Sequence, residues 1–110
     1  MSVRLGVFTM PGGRLSDPDG LARFGRAVED LGLAAVWMGE HVVWFDRYDS
    51  PWPYSPDGSF TPDPRREHLE IFEALAFLAA VTDGIRLGTG ITIVPQRNPV
   101  YTAKSVMSID

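Results

Sequence analysis

The chain has 110 residues, of which 45% are hydrophobic and 22% charged, with a formal net charge of −4. That length is one domain or part of one, and the composition is that of a chain that packs rather than stays disordered. The acidic balance provides no basic field for nucleic acid or an anionic membrane, no apolar run is long enough to span a bilayer, and the lack of cysteine excludes disulfides, thiolate nucleophiles and cysteine-based zinc sites.

The first segment, VRLGVFTM (3–10), is a short apolar run bounded by Pro11, Gly12 and Gly13, and is expected to be a buried strand. A helix is expected over 16–32. Ser16 or Asp17 can cap it and Pro18 suits its first turn. Leu21, Phe24, Val28 and Leu31 form its apolar stripe, and Gly32 terminates it. LAAVWMGEH (33–41) is apolar almost to its end, the pattern of a strand covered on both faces.

A long loop follows, over about 42–64. Pro51, Pro53, Pro56, Pro62 and Pro64 forbid a long helix or a central strand there, and Asp57-Gly58 signals a turn. From about Arg65 to Thr82 the pattern is helical. Leu69, Phe72, Ala76 and Ala79 lie on one side, with Ile71, Leu75 and Leu78 beside them. IRLGTGITIV (85–94) reads as a third strand with Gly88 and Gly90 inside it, ended by Pro95. Asn98-Pro99 then caps and opens another helix. The order β-α-β-loop-α-β-α predicts a parallel sheet with right-handed crossovers. Either an open doubly wound sheet or the opening units of a (β/α)₈ barrel fits; a full barrel takes roughly 250 residues.

Glu40 and His41 stand at the carboxyl end of the second predicted strand, the edge at which both architectures bind ligands. An imidazole can donate or accept a proton near neutral pH, although a strand-end histidine can also simply bond a neighbouring loop. Trp44, Phe45, Tyr48, Trp52, Tyr54 and Phe60 crowd the loop with flat apolar surface, suited either to packing over the sheet edge or to walling an apolar substrate. LGTG (87–90) lacks the third glycine and immediate helix of a dinucleotide loop; its glycines mark a bulge or a close ligand approach. His68, amid Arg65, Arg66 and Glu67, reads as a solvated helix face, and Arg47 as a loop charge able to grip an anion. The two histidines lie far apart without HExxH spacing, so no metal site is expected.

Four stretches carry a family resemblance: RLGVF near the start, VWMGEHVVW (36–44), SPWPYSPDG (50–58) and IRLGTGITIVPQRNPVYTAKSVMSID (85–110). The last, an LGTG strand followed by a Pro-x-Arg-Asn-Pro turn and a helix with Ala-Lys, is the most specific. Together they resemble the N-terminal part of luciferase-like flavin and deazaflavin oxidoreductases, especially the branch that uses coenzyme F420. The resemblance implies an α/β fold forming the first three βα units of a TIM-like barrel, with the cofactor at its carboxyl face. It implies a non-prolyl cis peptide at Gly90-Ile91 backing the cofactor ring, with His41 contacting the cofactor or handling a substrate proton. Glu40 joins His41 as a catalytic candidate, and Trp44 walls the substrate side.

Three functions remain open: hydride transfer between coenzyme F420 and an organic substrate, an FMN-dependent monooxygenase of the same fold, or a non-enzymatic α/β piece that self-associates or binds a partner. The pattern Glu40-His41-x-x-Trp44 favours coenzyme F420 over FMN. The chain is expected to be a fragment or truncated product that builds no competent pocket alone. It is further expected to be cytoplasmic and to self-associate as a homo-oligomer, exchanging strands or the 42–64 loop, with a small-molecule substrate and neither nucleic acid nor membrane as partner.

Overall fold

The structure is a computed structural model and describes residues 3–60, 63 and 65–110. Three strands, β1 (Gly6–Thr9), β2 (Ala35–Met38) and β3 (Arg86–Thr89), alternate with three helices, α1 (Pro18–Asp30), α2 (Ile71–Val81) and α3 (Pro99–Ile109). The strands pair in parallel in the order β1-β2-β3. Short 3₁₀ turns at Gly13–Leu15 and Val94–Gln96 precede α1 and α3.

Local chemistry sets the helix ends. Asp17 accepts from the Gly20 amide and Pro18 occupies the first turn of α1. Gly32, just past the α1 C-cap, takes a φ of +69°, the left-handed conformation that lets the chain turn away. The Asn98 side chain accepts from the amides of Val100 and Tyr101 at the start of α3.

The two faces of the sheet differ. Val7, Val36 and Leu87 stand in register on one face, where Leu21, Val28, Leu75 and Leu78 pack against them with Ile109 of α3. Elements of all three helices therefore join one cluster on one side. A doubly wound sheet covers both faces, whereas a barrel keeps its helices outside, so the arrangement is that of the opening βα units of a TIM-like barrel. On the opposite face Phe8, Trp37 and Gly88 stand in register, with Phe8 58% and Trp37 48% exposed.

The sequence reading requires correction at several points. The second strand is not covered on both faces: Val36 and Met38 are fully buried, but Trp37 between them is not. Leu31 is exposed, and Gly25 takes the next buried place on α1 beside Leu21 and Val28. Helix α2 begins at Ile71 rather than near Arg65. The backbone of 67–69 instead bonds the 11–13 segment, the Gly13 amide donating to Glu67 and the Leu69 amide to Pro11. Glu70 then caps the helix by accepting from Phe72 and Glu73. Ala76 and Ala79 face outward.

The third strand ends at Thr89, not at 94. Its ladder closes with the Gly90 amide donating to Met38, and the next peptide, Gly90–Ile91, is cis. Among described residues 42–60 there is no helix or strand; Pro62 and Pro64 lie outside the described residues. Among the described residues, no helix is long and apolar enough to cross a membrane.

Candidate functional site

At the carboxyl end of β2 the chain runs Gly39-Glu40-His41. The Gly39 amide donates to Thr9, which continues the ladder, and a Cβ on Gly39 would lie 2.5 Å from the Met10 sulfur, so β1 and β2 close tightly here. This tight end aims the next two side chains into different surroundings.

Glu40 turns inward, its side chain 3% exposed. It accepts from the Ile93 amide and pairs with Arg97, which also pairs with Glu70. Arg97 lies over the Phe72 ring at 4.6 Å, where the ring face favours its charge. Burial alone would raise the Glu40 carboxyl pKa, but the Arg97 hydrogen bond, the Ile93 amide and the Arg97 charge outweigh it and hold it below the usual carboxylate range. The Glu40 hydrogen bond raises the pKa of Arg97, against burial and with help from Glu70. One guanidinium thereby ties the end of β2, the cap of α2 and the turn before α3.

His41 faces outward and is exposed. Its Nδ1 lies 3.2 Å from the Val43 carbonyl. The tautomer with its proton on Nδ1 donates there and leaves Nε2 as an acceptor. The His41 ring stacks on Trp44, with centroids 3.9 Å apart and planes inclined by 13°. Trp44 also meets His68, with centroids 4.8 Å apart. His68 is thus not the solvated helix residue expected from its charged neighbours. Burial first, then the charges of Arg66 and His41, push its pKa down.

The aromatic loop packs on itself. Phe60 is its hub, stacked with Trp52 at 4.4 Å and edge-on to Tyr48 at 5.0 Å. Trp44 joins through Phe60 at 6.2 Å, Phe45 through Tyr48 and Tyr54 through Trp52. Asp57 accepts from Ser59 at the expected turn, and Gly58 adopts a φ of +70°. Arg47 lies 3.8 Å from the neighbouring carboxylate of Asp49, with both side chains exposed.

A cavity of about 320 Å³ opens beside this cluster, lined by Glu40, His41, His68, Glu70, Gln96 and Arg97 with apolar residues between them. A larger groove of about 850 Å³ lies between α2, β3 and α3 and contains none of the expected site residues. Glu40 and His41 line the smaller cavity and Trp44 stacks on His41, whereas Gly90 lies on the open face of the sheet. There Gly90 lies near Phe8 and Trp37, a Cβ on it falling 3.5 Å and 3.9 Å from their atoms, and Ile91 is 70% exposed. The cis bond falls where the resemblance implies it.

Sequence reasoning missed His68, Glu70 and Arg97. Arg97 stood inside the Pro-x-Arg-Asn-Pro turn, a signal that marked the family but not this role. His68 carried no local signal, because Trp44 lies 24 residues away and Gly12 56; Glu70 caps α2 through its neighbours, but its ion pair with Arg97 spans 27 residues.

An α/β unit with a parallel sheet, helices on one face and a polar and aromatic cluster at the strands' carboxyl edge is a ligand-binding architecture. The family model for luciferase-like monooxygenases matches residues 2–110, and the chain belongs to that family. Similar proteins include the uncharacterized protein Rv0940c of Mycobacterium tuberculosis, 29% identical over 84 residues, which is 76% of this chain and 29% of that protein. The uncharacterized protein Rv0953c of the same organism is 27% identical over 85 residues, 77% of this chain and 30% of that protein. The chain thus spans less than a third of the length of these relatives.

Proposed function

We propose that this chain supplies the His41 side of the active site of a luciferase-like oxidoreductase, in which hydride moves between coenzyme F420 and an organic substrate. The observation that carries this reading is the stack of exposed His41 on half-buried Trp44 at the carboxyl edge of a parallel sheet that also carries an open apolar face. The residues fit a flat ring system. Gly88 and Gly90 contribute no side chains there, and Phe8, Trp37 and Ile91 offer apolar surface.

When bound, the deazaflavin supplies the hydride chemistry. Gly90 and Ile91 would back its ring, and Trp44 would wall the substrate side and help exclude water. The Nε2 of His41 contacts the cofactor or takes and returns a substrate proton, because Nδ1 is occupied by the Val43 carbonyl. Glu40, with both oxygens engaged by Arg97 and Ile93, acts as a positioning residue: it holds the end of β2 so that His41 faces outward.

An FMN-dependent monooxygenase is the second reading, favoured by the description of the matching family as monooxygenases. Titration of the purified chain with coenzyme F420 and, separately, FMN, followed by cofactor fluorescence, separates the two. Micromolar binding of coenzyme F420 that weakens in His41→Ala would mean that the chain, as an oligomer, rebuilds the site and would support the first reading. Preferential FMN binding would favour the second reading, and binding of neither by folded chain would overturn both for this chain.

A further inference from the structure

We propose that His68 is a positioning residue of this site: its ring holds Trp44, and through Trp44 it holds both the aromatic loop and the stacked ring of His41. The inference rests on the reading of His41 and Trp44 as site residues, but its evidence is separate from any cofactor.

His68 is bonded through its backbone to the segment that follows β1. Its backbone forms an antiparallel bridge with Gly12, flanked by the Glu67–Gly13 and Leu69–Pro11 hydrogen bonds. Its ring lies directly on Gly12. A Cβ at that position would fall 2.5 Å from Cε1 and 2.6 Å from Nδ1, too close for any side chain, so the absence of one at Gly12 makes the seat. The backbone of Gly12 is extended, which any residue adopts, so the requirement is for space and not for conformation.

Trp44 belongs to the loop. Among the described residues, the hydrogen bonds made by residues 42–60 all stay within the loop or reach only His41 at its base. The ring contacts within the loop likewise close on Phe60. Among the aromatic contacts of the described residues, Trp44–His68 is the one that ties this self-packed cluster to a residue distant in sequence. Removing it leaves the loop joined to the body by its covalent ends and by apolar contact.

The surroundings keep the His68 ring neutral and able to stack as an apolar surface. Arg66 and His41 face it with positive or potentially positive charge. The nearby carboxylates are engaged elsewhere: Glu67 accepts from Ser16, while Glu40 and Glu70 pair with Arg97.

The test uses the whole chain with isotope-labelled histidine, whose two ring systems are resolved by NMR. Trp44 should shift the His41 ring protons upfield through its ring current. His68→Phe, which keeps a flat ring, should retain that shift. His68→Ala should lose it while far-UV circular dichroism stays native. Gly12→Ala, which displaces the ring without touching the stack itself, should lose it as well. The proposal is overturned if folded His68→Ala or Gly12→Ala keeps the upfield shift, or if His68→Phe loses it as completely as His68→Ala. Should His68→Ala fail to fold, the comparison of His68→Phe with Gly12→Ala decides the matter. Failure to bind coenzyme F420 or FMN would overturn the proposed function and leave this result standing.

Discussion

Arg97 donates to Glu40 across 57 residues of sequence, and both side chains are largely withdrawn from water, 17% and 3% exposed. Such a pair is a weak source of stability compared with an apolar replacement of both partners, but removing one partner strands the other. Arg97→Met should leave Glu40 buried without a counter-charge and cost about 3 kcal/mol, the lower end of what breaking a buried pair costs. Urea unfolding followed by circular dichroism measures this. Glu40→Gln should cost less, because a neutral amide can still accept from Ile93 and Arg97 retains Glu70.

The same pair predicts a pH dependence. The folded pKa of Glu40 lies below its ordinary value of 4.5, so its contribution to stability is fully present above 4.5 and is lost as pH falls through the lower folded value. In Arg97→Met the sign reverses, because burial without the arginine favours the protonated acid. The stability gap between wild type and Arg97→Met should therefore begin to narrow above pH 4.5, as the variant's Glu40 protonates, and keep narrowing below 4.5 as the wild type loses its pair. A gap that stays constant with pH would mean that Glu40 is not the group stranded.

His68 adds a second window. Its folded pKa is pushed below the ordinary histidine value of 6.5, so the unfolded chain binds the proton more readily. The stability associated with neutral His68 is complete above 6.5 and declines as pH falls from there toward the folded value. His68→Phe should remove this component, making the stability curve flatter just below pH 6.5 than that of the wild type.

Gly20, in the first turn of α1, is required by a close approach. A Cβ there would fall 2.0 Å from the Arg14 carbonyl oxygen, and backbone cannot swing aside as a side-chain tip can. Alanine at an open helical position would gain about 1 kcal/mol over glycine. Overpacking costs roughly 1–3 kcal/mol, and contact with backbone puts this site at the upper end, so Gly20→Ala should show a net loss of about 2 kcal/mol. A thermal melt in which Gly20→Ala is as stable as wild type would show that the 3₁₀ turn at Gly13–Leu15 moves freely.

What was legible in the sequence follows the range of the interactions. The caps at Asp17 and Asn98 and the turn at Gly32 depend on neighbours within a few residues, and the sequence predicts them. The α/β order follows from the alternation of apolar patterns. The start of α2 was misplaced because Leu69 and Glu67 exchange helix formation for backbone bonds to Pro11 and Gly13, partners more than 50 residues away. Trp37 gives the same lesson for burial: an apolar strand residue does not reveal which face is covered. At the site, Glu40 and His41 were legible because strand ends bind ligands. Their different fates, one buried in a charge pair and the other exposed in a stack, depend on Arg97 and Trp44 and were not.

The open face of the sheet bears on association. Phe8 and Trp37 align across β1 and β2 with about half their surface exposed, and Gly90 lies beside them. Within the described three-stranded sheet, β1 and β3 are outer strands, and each carries backbone groups on its outer edge without a strand partner. Apolar surface of this kind, joined to strand edges, favours contact between copies. We propose that the isolated chain self-associates through this face. Sedimentation velocity over a range of concentrations should show a species heavier than the monomer, and Phe8→Lys should shift it toward monomer by placing a charge in the row. Exchange of the aromatic loop is a distinct route to the same mass: it would leave Phe8→Lys oligomeric while Trp44→Ala, which cuts the contact with His68, changes the distribution. A purely monomeric profile at high concentration would overturn both routes.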